Sequence, residues 1–263
     1  MADGDRETDE RGDGDPLVSD ELLLDGTWED VSGWWQTHFT DGVDPEYEEQ
    51  ILPMAVEAVG SARRVLEVGT GEGQVARRLA AAGVPSVVGL DPTVAQITEA
   101  VRRGGGPVYL RGGADALPFA AGAFDTVVAC LVFEHIDAVD EAIAEVARVL
   151  EPGGRFVFFL NHPLLQTPGS GWIDDQILDP PEQYWRIGPY LVEAESIEQV
   201  TKGVHIRFVH RPLGRYVNAM AANGLLVERM EEPAPPPGFL ALAPEYTDAA
   251  TVPRLLLLVA TKR

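Results

Sequence analysis

Cysteine occurs once in the chain, at Cys130, which excludes a disulfide framework within the chain and a thiolate metal site. Lysine occurs twice, at Lys202 and Lys262, and arginine supplies the remaining bases. A GC-rich genome and a salt-adapted host both produce that bias. Long apolar runs are missing as well. The longest, Leu255 to Ala260, falls far short of the roughly 20 residues that cross a bilayer and reads as a buried strand. No apolar stretch follows basic residues near the N-terminus, so no secretory signal is expected and the protein reads as cytoplasmic. Positive charge is scarce: 42 acids against 20 bases leave a net charge of -22. That field repels a phosphate backbone, so DNA and RNA are not expected partners, and a membrane is not one either.

What is present is the composition of an ordinary globule, 45% apolar and 24% charged over 263 residues, enough for one large α/β domain. Residues 1–25 are rich in Asp, Glu and Gly and read as a disordered acidic tail. Residues 26–263 read as one domain. Its first part, 26–60, mixes Trp28, Trp34, Trp35, Phe39 and Tyr47 with acids, as expected of one or two helices lying over a site. From 63 to 161 strands alternate with helices. Val65–Val68, Ser86–Leu90, Pro107–Leu110, Phe124–Leu131 and Arg155–Leu160 are the expected strands. Asp137 is placed to cap the helix after the fourth strand, and Pro152-Gly153-Gly154 to end it. Such alternation implies a doubly wound, mostly parallel sheet. Residues 162–209, with many Pro, Gly and aromatic residues, break the rhythm and read as a substrate-side insertion. Residues 210–263 return to the sheet, with a helix near Leu213–Asn223 and strands at Leu225–Met230 and Arg254–Thr261.

Sites in such sheets lie at the carboxyl ends of the strands. The first strand ends in Glu67-Val68-Gly69-Thr70-Gly71-Glu72-Gly73, where glycines let the backbone approach a ligand and the following helix offers free N–H groups. The spacing is GxGxG rather than the dinucleotide GxGxxG, and the lysine of a Walker loop is absent. Asp91, followed by Pro92, ends the second strand, where a carboxylate can accept both hydroxyls of a ribose. Asp115 and Ala116, after the third strand, can meet an exocyclic amine and a ring nitrogen.

These pieces, with Phe124-Asp125-Thr126-Val127-Val128 and Glu134-His135-Ile136, resemble the class I, or Rossmann-like, S-adenosylmethionine-dependent methyltransferases, in the small-molecule branch that includes ubiquinone-biosynthesis-type enzymes. The resemblance covers residues 63–161. It implies a seven-stranded α/β sheet with its last strand antiparallel, and S-adenosylmethionine as cofactor. Glu67, Gly69, Thr70, Gly71 and Gly73 would face the methionine part, Asp91 and Pro92 the ribose, and Asp115 and Ala116 the adenine. Leu131 would pass beneath the sulfonium.

Methyl transfer from a sulfonium is an in-line displacement, so alignment and exclusion of water are the protein's main contribution. A hydroxyl acceptor benefits from a base. His162, after the fifth strand, is the first candidate, with capping as the competing account; His135 and His210 follow. Trp35, Tyr47, Trp185 and Tyr190 are candidates to cover an apolar substrate, and Arg211 to meet an acidic group on it. No cluster of Asp, Asn and Glu marks a metal site, and no Asn-Pro-Pro-Tyr motif is present, which favours an oxygen, carbon or simple amine acceptor. Two other functions fit parts of the pattern: a non-catalytic cofactor-binding scaffold and an NAD-dependent oxidoreductase. Monomer and homodimer are both compatible with the sequence.

Overall fold

The computed structural model describes residues 28–242 and 248–263. The acidic tail, 1–25, lies outside the described residues. Strand β1 is Arg64–Val68, and its Val65, Leu66, Glu67 and Val68 are all buried, as parallel strands covered on both faces are. Strands β2 (Ser86–Asp91), β3 (Val108–Arg111), β4 (Phe124–Cys130) and β5 (Leu150–Asn161) join it in parallel. The segment 162–210 adds β6 (Gly171–Asp175) with β7 (Glu182–Arg186), and β8 (Ala194–Thr201) with β9 (Val204–His210). Strands β10 (Leu225–Glu231) and β11 (Leu255–Lys262) complete a seven-stranded sheet of order β10-β11-β5-β4-β1-β2-β3. Strand β11 runs antiparallel to both of its neighbours. The order reverses between β1 and β4, which opens a crevice above their carboxyl ends.

Alternation along the strands divides the core into two layers. Leu66, Val127 and Phe156 face α5 (Val139–Val149) and α6 (Leu213–Ala222) through Ile143, Val146 and Met220. Val65, Val128 and Val157 face α2 (Leu52–Val59) and α3 (Gln74–Ala81) through Ala55, Val75 and Leu79. Helix α4 (Val94–Arg103) follows β2, and α1 (Trp28–His38) lies against it. Polar bonds hold α1 and the loop behind it there. Glu29 accepts from the Val94 and Ala95 amides at the start of α4, Gln36 donates to Gln96 at 2.8 Å, and Arg103 donates to Thr40 and Asp41. Among the described residues no helix is long and apolar enough to cross a membrane.

Two expectations need correction. Asp137 does not cap α5: its carboxylate pairs with Arg207 at 2.7 Å, and Ala138 stands at the N-cap with no side-chain bond. Asp140 and Glu141 do occupy the first turn, where acids favour the helix dipole. Pro152-Gly153-Gly154 does not end the helix, because Leu150 is already extended and paired with Phe124. These residues form instead a bulge in β5, since pairing resumes only at Thr126 with Arg155. The insertion, finally, is built from hairpins. Trp172 sits across from Trp185 in the first, ring centroids 5.6 Å apart at 86°.

Candidate active site

Above β1, β2 and β4 lies a cavity of about 930 Å³, open to solvent at its mouth. Its floor is the turn between β1 and α3. Gly69, Gly71 and Gly73 all have positive φ, 71°, 54° and 86°, which any residue with a side chain resists. A Cβ on Gly69 would collide with Val132, and one on Gly73 with the ring of Tyr109. Gly69 and Gly71 line the cavity, whereas Gly73 lets Tyr109 pack beneath the turn and starts α3. The amides of Gly69 and Thr70 both donate to Leu90 O, which ties the turn to β2.

Two carboxylates tighten this turn. Glu67 Oε2 accepts from the Thr70 hydroxyl at 2.5 Å and from the Ala76 amide at 2.9 Å. Burial pushes the Glu67 carboxyl up to about 8, against those two bonds. Asp91 Oδ2 accepts from the Gly71 amide and Oδ1 from the Thr93 amide, both at 2.9 Å. Burial raises Asp91 as well. A carboxylate has about four acceptor positions. Asp91 lines the cavity wall, where its remaining acceptor capacity can meet a ribose hydroxyl. The donor set therefore fits an adenosyl group.

The adenine side departs from expectation. Gly112 and Ala114 line the cavity, but Asp115 and Ala116 are exposed and do not. The Asp115 carboxylate folds back over Gly113, where a Cβ would lie 2.6 Å from Oδ1.

Leu131, Pro92, Trp35, Tyr47 and His135 line the cavity. Leu131 is one of two described non-glycine residues with positive φ, at 54°, so the backbone is strained where β4 reaches the site. His135 is half-buried, with Nδ1 2.8 Å from Arg207 O. A carbonyl only accepts, so Nδ1 carries the proton and Nε2 keeps its lone pair. Burial holds this imidazole down to about 4, which leaves it neutral at pH 7. The ring packs edge-on against Trp28 at 4.9 Å.

The other candidates lie away from the cavity lining. His162 is buried, accepts from the Leu164 amide at Nδ1, and donates from Nε2 to Glu232 at 2.8 Å. Both nitrogens are engaged, so it serves the turn after β5. His210 bonds Tyr190 O through Nε2, and its buried Nδ1 has no partner. The Tyr190 hydroxyl accepts from the Leu213 amide, and Trp185 packs on Trp172. Arg211 cannot greet an acidic substrate. Its guanidinium is buried and donates to the carbonyls of Phe133, Ile136 and Asp137, which fixes the turn after β4.

Several lining residues escaped the sequence reading of the site: Trp28, Glu72, Gln74, Gln96, Val132 and Ile136. Trp28 carried a signal in its place among the N-terminal aromatics. Gln96 carried none, because only the fold brings it to Gln36.

The Methyltransferase domain family matches residues 66–158. A demethylmenaquinone methyltransferase of Renibacterium salmoninarum is 34% identical over 137 residues, 47% of this chain and 57% of the relative. A tRNA U34 carboxymethyltransferase of Methylococcus capsulatus is 38% identical over 141 residues, 52% of this chain and 39% of the relative. The chain thus spans about half the length of the curated relatives it matches. The crystal structure of an S-adenosylmethionine-dependent methyltransferase from Mesorhizobium loti is 28% identical. It superposes with a TM-score of 0.70, over 84% of this chain and 99% of that one. Residues 66–158 thus match a methyltransferase domain, and the whole fold is similar to that of an S-adenosylmethionine-dependent methyltransferase.

Proposed function

We propose that the protein transfers a methyl group from S-adenosylmethionine to a small, largely apolar acceptor, with an oxygen acceptor favoured. The observation that carries this is the cavity wall, which pairs Asp91 and the glycine turn with aromatic Trp28, Trp35 and Tyr47 and no lysine or arginine. The cofactor, when bound, supplies an activated methyl group on sulfur. Glu67 and Asp91 hold the turn in shape, Asp91 keeps acceptor positions for the ribose, and the aromatic residues exclude water. Among the histidines, His135 is better placed than His162 to meet an acceptor hydroxyl. Its neutral ring lines the cavity and its Nε2 can accept a hydrogen bond, so it orients the hydroxyl rather than storing its proton.

The Methylococcus relative acts on tRNA by its name, but a net charge of -22 opposes a polyanion here. A dinucleotide is disfavoured by the same cavity, whose charged lining groups are carboxylates. Calorimetric titration with S-adenosylmethionine, S-adenosylhomocysteine and NAD tests the cofactor. Micromolar binding of the adenosyl ligands alone, lost in Asp91→Ala, supports the proposal, and NAD binding sinks it. Turnover with none of a broad panel of small acceptors, alongside tight cofactor binding, would turn the assignment to a non-catalytic scaffold.

A further inference from the structure

The β6–β7 hairpin turns apolar side chains to the solvent. Trp172 and Trp185, half-buried, share its inner face. Tyr184, on the outer face opposite Ile173, is exposed. At the tip Ile177 is 95% exposed, and Leu178 beside it is exposed too. The strap that leaves the base of the hairpin adds Leu191, at 83%. That strap is pinned: the Gly188 amide donates to Ser170 Oγ at 2.9 Å, and the Tyr190 hydroxyl accepts from the Leu213 amide. With Tyr190 turned in toward His210, Leu191 and Val192 are presented outward.

The hairpin is acidic as well. Asp174, Asp175, Asp179 and Glu182 stand on it against one base, Arg186. Asp174 accepts from Gln183 Nε2 and Asp175 from the Ile177 amide, so two of these carboxylates are fixed in place. None of the four forms an ion pair among the described residues. On the body of the domain exposed acids do face arginines, as Asp140 faces Arg215 and Glu57 faces Arg229. Exposed apolar groups rimmed by unpaired charge of one sign suit a partner of the opposite sign.

We propose that the β6–β7 hairpin and its strap bind a basic amphipathic segment of another protein. The apolar side chains of that segment cover Ile177, Tyr184 and Leu191, and its lysines or arginines meet the four carboxylates. Five paired positions make the hairpin about 16 Å long, the length of about three helical turns. A second copy of the chain is the wrong occupant, because it would set these carboxylates against their own kind. An anionic lipid surface is repelled in the same way.

The test is fluorescence anisotropy of a labelled leucine–lysine peptide of about 14 residues, patterned as an amphipathic helix, titrated with the full chain at physiological salt. Micromolar binding is expected. Ile177→Ser with Leu191→Ser, which leaves the charge unchanged, should weaken it about tenfold. Asp179→Asn with Glu182→Gln should weaken it by a similar factor, which shrinks at high salt. The control pair Val108→Ser and Glu228→Gln, exposed on β3 and β10, should leave it as it is. Unchanged melting temperatures check that each variant is folded. Equal weakening in all three variants, or in none, would show that the peptide reads only the net charge of -22 and would overturn the proposal. Absence of binding to the wild type would overturn it too. Binding to phosphatidylcholine vesicles that is lost in Ile177→Ser with Leu191→Ser would give the surface to lipid instead. Concentration-dependent dimers in light scattering, lost in the same variant, would give it to a second copy.

Discussion

The turn after β1 and the turn after β4 both face the cavity, yet they are held in shape by different means. The first is stabilised by its own segment and by the neighbouring end of β2. Glu67 bonds residues three and nine positions away, and Asp91 bonds Thr93 two positions on. The second is stabilised from far along the chain, by Arg211, the carbonyl of Arg207 and Asn161. Local bonds leave a signature in a short stretch of sequence, and distant ones do not. The first turn should break on a single backbone clash. The second should weaken as its remote partners are removed.

The largest effect is expected at Gly69. Gly69→Val places a branched side chain against Val132 at φ 71°, and a loss of about 3–4 kcal/mol of stability, or failure to fold, is expected in urea titration. Next comes Asp91→Ala, which should lower affinity for S-adenosylmethionine about 100-fold with little change in melting temperature. Retained affinity would remove Asp91 from the ribose. Arg211→Ala removes the side-chain donor shared by the Phe133, Ile136 and Asp137 carbonyls and should cost about 1–3 kcal/mol of stability while weakening cofactor binding far less. A selective loss of binding would instead make Arg211 a ligand.

Glu67→Gln sharpens the comparison through pH. The native carboxyl titrates near 8 and the unfolded one near 4.5, so the native state holds the proton more tightly. Its contribution is favourable at low pH and is lost as pH rises from about 4.5 to 8. The glutamine variant should lack that decline and gain roughly 1 kcal/mol or more over wild type at pH 9, read from melting curves at successive pH values. The smallest effect is expected at Arg207→Ala. This removes the ion pairs to Asp137 and Glu195, both exposed, and should cost under about 1 kcal/mol, less in high salt. The Arg207 carbonyl that holds His135 remains.

The same contrast explains what could be read in advance. Strands β1 to β5 announced themselves because buried parallel strands are short apolar runs between glycines and acids. Glu67 was legible because its partners, Thr70 and Ala76, lie close in sequence. The hairpins of the insertion were not, because β8, with Glu195, Glu198 and Gln199, lies mostly at the surface and has no apolar alternation to display. His162 was misplaced because a strand end names a neighbourhood but not a side-chain direction. Its ring turns to Glu232 rather than to the cavity. Asp115 lies outside the cavity lining, in a loop with no period to set its phase.

Glu29 deserves a thermodynamic reading. It grips the amides of Val94 and Ala95, only three and four residues beyond Asp91. Whatever steadies Asp91 also steadies the docking point of α1, and by linkage the reverse is equally true. Opening of α1 and departure of the cofactor thus share one equilibrium. Amide exchange in Trp28–His38 should slow when the cofactor binds, by the same factor that loss of this contact would cost in affinity.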